Sequence, residues 1–355
     1  MINQIEPVIT EEDIKSVDAY LRSGGWLTEH ILTKSLEENI ATYLGRKHAI
    51  AVPNGTIAIY LALKAKEIGE GHRVAVPNIT MVATINAVLW AGAKPVLVDV
   101  DESLCMSLKL LQEIQDLDAV IFVPLNGRTG SGEQIEKWCS NNKIILIEDS
   151  AHALGSNYSN KKCGGLGDVS ILSFTPHKII TSGQGGLVLT DDEDLYKKIY
   201  DYKSFNREND ASDWHKGFGL NFKFTDLQAS LVLSQLKRLD LLIVSKKDLF
   251  NSYKHSVSKS DTRFLNFKDH ETPWFIDFFL ISSESQSSYQ DLLFKQGIQV
   301  RKGYPPLSMQ PMFSKVERTD LSYSEEIAGK IIWLPSSSNL SKDDVELISR
   351  NLNSI

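Results

Sequence analysis

Asp149 and Lys178 are the two residues whose types and places most clearly invite chemistry. Asp149 closes the apolar run KIILIED (143–149), so its carboxylate should emerge at the edge of a sheet. Lys178 follows VSILSF (169–174) and precedes the Gly-rich stretch ITSGQGG (180–186). A carboxylate and an amine at the ends of neighbouring strands could form a plain ion pair, the commoner meaning of such a pair. Their neighbours suggest more. Ser173 stands five residues before Lys178, on the same strand end. Asn54-Gly55-Thr56 lies between HAIAV (48–52) and a helical stretch, where a helix N-terminus offers N–H groups to an anion.

Pyridoxal phosphate (PLP) would use all of these groups. It needs a lysine to hold its aldehyde carbon and a carboxylate to keep its pyridine nitrogen protonated. It also needs hydroxyl and backbone N–H groups for its phosphate, and a flat or bulky side chain over its ring. An ionised aspartate stabilises the charged pyridinium, which is the electron sink.

The elements that must position these residues follow from the apolar pattern. HAIAV (48–52), RVAVP (73–77), PVLVDV (95–100), AVIFVPL (119–125), KIILIED, VSILSF and GGLVLT (185–190) read as seven strands. Amphipathic segments lie between the first five: Ile57–Lys66, Val82–Trp90, Leu108–Gln115 and Glu133–Asn141. Strands this rich in Val, Ile and Leu are buried on both faces, which predicts an α/β fold with a mainly parallel seven-stranded sheet covered by helices. Active-site residues then belong on loops at the strand ends. From Thr225 a long helical pattern leads into a smaller α+β lobe, with strands at 272–283 and 297–304 and helices in SSYQDLLFKQ and SKDDVELISRNLN, the latter capped by Ser341. The expected division is a large lobe of residues 1–256 and a small lobe of residues 257–355. Residues 206–218 are polar and turn-rich and read as a loop.

Composition removes several classes of function. The 355 residues carry a formal net charge of −7, which argues against binding nucleic acid through bulk positive charge. No apolar run reaches membrane-spanning length, and the first residues lack the basic-then-apolar order of a signal peptide. Cys105, Cys139 and Cys163 are odd in number and without CxxC spacing, so neither a disulfide framework nor a thiolate metal site is expected. A cytoplasmic protein without a metal is the expectation. No GxGxxG follows an early strand and no Walker A string occurs, so dinucleotide and P-loop readings fail.

The chain resembles the DegT/DnrJ/EryC1/StrS family of PLP-dependent sugar aminotransferases. The resemblance runs through NGTIAIYLAL (54–63), VPNITMVATINAVLWAGAKPVLVDVD (76–101), IEDSAHALGS (147–156), GDVSILSFTPHKIITSGQGG (167–186), GLNFKFTDLQASLVLSQLKRL (219–239), GIQVRKGYPPLSMQP (297–311) and WLPSSSNLS (333–341). It implies the aspartate-aminotransferase-like (type I PLP) fold. It also implies that Lys178 attaches the cofactor and later shuttles a proton, and that Asp149 pairs with the pyridine nitrogen. His152 would lie near the ring oxygen, and Gly55, Thr56 and Ser173 would hold the phosphate. Asn221 would reach the phosphate from the other subunit, so a homodimer with shared active sites is implied. Met81 stands where the family usually places an aromatic over the ring. On the sugar side the resemblance points to Trp26, Arg301 and Tyr304, and Ser308 replaces a histidine of many relatives.

The implied reaction moves an amino group from L-glutamate to a keto sugar, expected to be a nucleotide-linked 4-keto-6-deoxyhexose, in a perosamine-synthase-like activity serving surface-polysaccharide or deoxyamino-sugar synthesis. The nearest rival is a PLP- or PMP-dependent sugar dehydratase of the same fold, in which histidine replaces the lysine. His177 precedes Lys178 here, but the register from Ser173 puts lysine at that position. A non-catalytic sensor keeping the fold is the rival from another class. It could afford to lose the set of Asp149, Ser173, Lys178 and Asn221, which this chain retains.

Overall fold

The computed structural model describes residues 1–209, 212–258, 263–280 and 285–354. All seven expected strands of the large sheet form: β1 (His48–Val52), β2 (Arg73–Pro77), β3 (Lys94–Val98), β4 (Ala119–Phe122), β5 (Ile145–Asp149), β6 (Val169–Ser173) and β7 (Gly186–Thr190). Four strands follow: β8 (Ile276–Phe279), β9 (Arg301–Lys302), β10 (Glu317–Arg318) and β11 (Ile331–Leu334). The large sheet runs β1-β7-β6-β5-β4-β2-β3-β10. Only β7 is antiparallel to its neighbours, so the mainly parallel expectation holds.

The sheet has eight strands among the described residues, not seven. The eighth, β10, pairs Glu317 with Val96 and Arg318 with Leu97. Its charged pair carries no apolar run, so no periodicity marks it. It forms because Thr319 N–H donates to Leu97 O (2.9 Å) and Arg73 pairs with Glu317. Charged edge strands of this kind also discourage further pairing.

Alternation along each strand divides the core. Val74 and Val76 join Ala58, Leu61 and Ile85 on one face, whereas Val96, Val120 and Phe122 join Ile135 and Cys139 on the other. A second sheet, β8-β11-β9, is antiparallel and packs on Tyr253, Leu293 and Ile348. The described part of the expected strand at 272–283 is β8; residues 281–283 lie outside the described residues. The strand expected at 297–304 shrinks to Arg301–Lys302. The helix after Ser341 forms as expected, with a reciprocal box between Ser341 and Asp344.

The helices Glu11–Arg22, Ile31–Leu44, Glu193–Lys203 and Ser322–Ile327 escaped the sequence reading. The long helical stretch after Thr225 is two helices, Asp226–Leu236 and Leu239–Ser256. It breaks at Arg238, whose guanidinium grips both oxygens of the buried Asp13 (2.7 Å each) and Val8 O (2.7 Å). Asp226 opens the first of these helices and caps a distant one. Its carboxylate accepts N–H groups from His30, Leu32 and Thr33 (2.8–2.9 Å) and the Thr33 hydroxyl (2.7 Å). Burial raises its pKa, yet these bonds outweigh that and hold it below the ordinary carboxylate value.

Two buried polar anchors hold the C-terminal sheet, one to the chain that follows β4 and one to a helix. Asp277 on β8 accepts from Asn126 Nδ2 (2.8 Å), Trp333 Nε1 (2.8 Å) and Arg128 Nη1 (2.5 Å). Arg128 also donates to Leu265 O (3.0 Å) and lies over the Phe267 ring at 3.9 Å. Beside it Gly127 has φ +94°, and a Cβ there would sit 1.9 Å from Thr272 O, so only glycine fits. The second anchor is Lys246, buried in the Leu239–Ser256 helix, whose Nζ donates to Trp274 O (2.9 Å) and to Ser336 O. Among the described residues no helix is long and apolar enough to cross a membrane.

These anchors make two expectations. Asp277→Ala strands the Arg128 charge and should cost about 3–5 kcal/mol in denaturant unfolding, the range for breaking one side of a buried pair. Burial lowers the pKa of Lys246 from 10.5 to about 7. Between those limits the unfolded chain binds more protons than the fold, so stability rises with pH across that window. Lys178 is lowered in the same way. Lys246→Met should therefore make the rise shallower, as read from urea midpoints at neutral and alkaline pH; an unchanged slope would contradict the assignment.

Candidate active site

The C-terminal ends of β1, β5 and β6 bring most of the expected residues together. Asp149 ends β5 and is buried. Its Oδ2 accepts from Thr84 Oγ1 (2.9 Å), and its Oδ1 from Ala151 N–H (3.3 Å). Thr84 lies in the first turn of the Ala83–Ala91 helix and shares a hydroxyl contact with Thr80 (3.1 Å). Burial raises the Asp149 pKa, and the Thr84 bond, the Lys178 charge and the Ala151 N–H pull it part of the way back.

Lys178 follows β6 and lines a small cavity, with Ser150, His152, Ser173, Thr272, Pro273 and Trp274 among its walls. Burial lowers its pKa to about 7, against the opposing pull of Asp149. Its Nζ lies 4.0 Å from the centroid of the Trp274 ring. Trp274 starts an aromatic row: His152 stacks on it at 3.9 Å, Tyr304 lies 6.0 Å beyond His152, and Trp333 meets Tyr304 edge-on at 4.7 Å. Arg301 stands at the far end, its guanidinium 5.7 Å from the Trp333 centroid. Burial, helped by the Lys178 charge, pushes the His152 pKa well below the ordinary histidine value, so its ring is neutral.

The anion cradle is formed across β1, β7 and β6. Val52 pairs with Gly186, and Gly186 with Ser173. Gly55 begins the Gly55–Ala65 helix, and a Cβ there would stand 3.2 Å from Ser173 Cβ. Asn54 Oδ1 caps Ile57 N–H (3.0 Å), which leaves the N–H groups of Gly55 and Thr56 outside the helix ladder. Gly186 is required beneath them, since a Cβ would sit 2.6 Å from Asn54 C and 2.9 Å from Gly55 N.

Four expected residues stand apart from this group within one chain. Met81 precedes the Thr84 turn, is 43% exposed, and its sulfur accepts Ala83 N–H (3.0 Å). Asn221 is exposed and bridges Ser204. Trp26 is 68% exposed, and its carbonyl takes the Tyr20 hydroxyl. Ser308 is buried, bonded to Asn78 through its N–H (2.9 Å) and hydroxyl (3.1 Å) and to Glu325 (2.9 Å). It is a structural tie between the end of β2 and the C-terminal segment.

Thr84, Gly186 and Trp274 were missed by the sequence reading. Thr84 and Gly186 sat inside strings already noted, but only the fold shows what they touch. Trp274 read as one more apolar residue of a strand. Two features fit PLP: a cradle beside Ser173 where Gly55 leaves room, and His152 Nδ1, a buried nitrogen with no partner among the described residues. A buried, near-neutral lysine beside a fixed carboxylate completes the donor set that this cofactor needs. Among the described residues no three His, Cys, Asp or Glu side chains are grouped to hold a metal ion.

Comparison with known proteins agrees with this chemistry. The model of the DegT/DnrJ/EryC1/StrS aminotransferase family matches residues 7–353. GDP-perosamine synthase of Escherichia coli O157:H7 is 30% identical over 353 residues, covering 98% of this chain and 96% of that protein. The spore coat polysaccharide biosynthesis protein SpsC of Bacillus subtilis is 33% identical over 260 residues, 70% of this chain and 67% of that one. Helicobacter pylori PseC, an aminotransferase involved in the biosynthesis of pseudoaminic acid, superposes with a TM-score of 0.92 at 26% identity, covering 99% of this chain and 98% of the other. Spr1654 of Streptococcus pneumoniae, solved in its PMP form, gives 0.91 at 26% identity over 100% of this chain and 98% of its own. With an eight-stranded α/β sheet carrying this lysine, carboxylate and anion cradle, the chain belongs to the DegT/DnrJ/EryC1/StrS aminotransferase family and is a PLP-dependent sugar aminotransferase.

Proposed function

We propose that the protein transfers an amino group from L-glutamate to a nucleotide-linked 4-keto-6-deoxyhexose, in surface-polysaccharide or deoxyamino-sugar synthesis in the cytoplasm. The observation that carries this reading is the meeting of Lys178, Asp149, Ser173 and the Gly55–Thr56 helix start at one end of the large sheet. Three relatives named GDP-perosamine synthase support the sugar class and favour GDP as the nucleotide.

When bound, PLP supplies an aldehyde carbon that accepts the amino group and a ring that withdraws electrons. Lys178 would anchor it. Once free, an amine that titrates near 7 is matched to both taking and giving a proton at the reacting carbon. Asp149, held by the Thr84 hydroxyl, would keep the ring nitrogen protonated. The neutral His152, backed by Trp274, would lie against the ring without adding charge. Gly55 and Thr56 N–H groups and the Ser173 hydroxyl would take the phosphate. Asn221, exposed where it bridges Ser204, would reach that phosphate in a partner subunit, so the working unit is a homodimer with shared sites. Exposed Trp26, Met81 and Trp90 suit a covered surface better than a free one. Residues 1–256 would form the cofactor lobe and residues 257–355 the smaller lobe, apart from the edge strand β10 that these lend to the large sheet, and the smaller lobe would present Arg301 and Tyr304 to the sugar diphosphate.

Lys178→Ala should lose more than about a thousandfold in turnover. Borohydride reduction of the PLP-loaded protein should add one pyridoxyl mass to the Lys178 peptide; that mass on another lysine, or on none, overturns the site. In a panel of GDP-, UDP- and dTDP-linked 4-keto-6-deoxy sugars with L-glutamate, mass and NMR should show amination, greatest with GDP. A panel with no aminated product removes the substrate class.

A further inference from the structure

Trp274 is held at every polar atom it has. Its N–H donates to Asn126 O (3.0 Å), its carbonyl accepts from Lys246 Nζ (2.9 Å), and its indole N–H donates to His177 O (2.7 Å). The ring also stacks with Phe275 (3.8 Å) and with His152 (3.9 Å). It lies just before β8, outside the elements that carry Asp149 and Lys178. What it presents to the cavity is a π surface, with the Lys178 amine 4.0 Å from its centroid. An ammonium over an indole face in a desolvated site is attracted by the ring's quadrupole.

The charges facing Lys178 come from several elements. Asp149 at the end of β5 favours the ammonium, whereas His152 after β5 and the adjacent His177 sense its positive charge, and Arg301 on β9 acts on His177. Tyr304 is also nearby, its pKa raised by burial first and by Asp149. A carboxylate committed to the ring nitrogen of a bound cofactor cannot serve a free lysine as well. Another partner for the amine is then needed.

We propose that Trp274 is the resting plate of the Lys178 amine during the half of the cycle in which the lysine is not joined to the cofactor. It keeps the amine in the cavity, within reach of the reacting carbon, and Lys246, by fixing the Trp274 carbonyl, acts as a positioning residue behind it. This inference rests on Lys178 being the cofactor lysine.

The full-length protein loaded with pyridoxamine phosphate, in which the lysine is free, gives the direct test. Trace acetylation with acetic anhydride across neutral and alkaline pH, followed by peptide mass analysis, reads the apparent pKa of Lys178 itself. Trp274→Leu keeps apolar bulk but removes the quadrupole, and should lower that pKa by about half a unit to one and a half units. Trp274→Phe keeps a smaller π face and should fall between. If Trp274 only packs, its loss admits water and the pKa stays or rises, so an unchanged or raised value in a variant with native circular dichroism overturns the proposal. Should the Leu variant not fold, a Phe variant indistinguishable from the parent does the same. Borohydride labelling is independent: a pyridoxyl mass missing from Lys178 would fell the functional reading, while the acetylation series still reports on the plate.

Discussion

Everything at this site depends on keeping one amine out of water and close to neutrality. A buried lysine is costly in its charged form, and the cost falls only as far as fixed groups compensate. Here burial brings the Lys178 pKa down to about 7, and Asp149 limits the fall. That balance requires walls that do not move, and they come from both sheets. β5 and β6 deliver Asp149 and Ser173, and the strap before β8 delivers Trp274. Were the strap looser, water would enter and the lysine would return to an ordinary ammonium.

The strap is fixed by groups that would be liabilities if left alone. Asp277, Arg128 and Lys246 are all buried. Each buried charge or donor is matched: Asp277 by three donors, Arg128 by a carboxylate, backbone carbonyls and an aromatic face, Lys246 by two carbonyls. Such networks contribute little net stability compared with well-packed apolar groups, but they tolerate only one arrangement. At the other end of the aromatic row, Arg301 provides local positive charge in a protein whose formal net charge is −7. Local donors, not the overall balance, decide which anions can bind.

How much was legible in the sequence depended on how local each signal was. The seven long strands were readable because each carries its own apolar run, and Asp149, Ser173 and Lys178 because each sits at the end of one. Gly55 and Thr56 followed from a strand-to-helix junction. Thr84 was not readable, because its meaning is a bond to Asp149 that only the packing of a helix on β5 creates. Trp274 was hidden inside an apolar run, β10 has no run at all, and the break at Arg238 is imposed by Asp13 from the first helix. Propensity gave no warning, since the Asp226–Ser256 stretch is a good helix throughout. Asn221 and Trp26 do not line the cavity within one chain, and no local signal in the sequence says so.

The position of β7 has a consequence for how the protein is made. Among the described residues β1 has β7 as its only strand neighbour in the sheet, and β7 is the last of the seven long strands to be synthesised. On a ribosome, β1 and the turn carrying Gly55 emerge early and then wait, apolar and unpaired, while β2 to β6 are made. During that interval the strand is an open edge of the kind that aggregates or recruits a chaperone. The cradle where Gly55, Ser173 and Gly186 meet needs β1, β6 and β7 together, so a ligand held there is unable to template early folding. It can only reward a large lobe already closed by Gly186–Thr190.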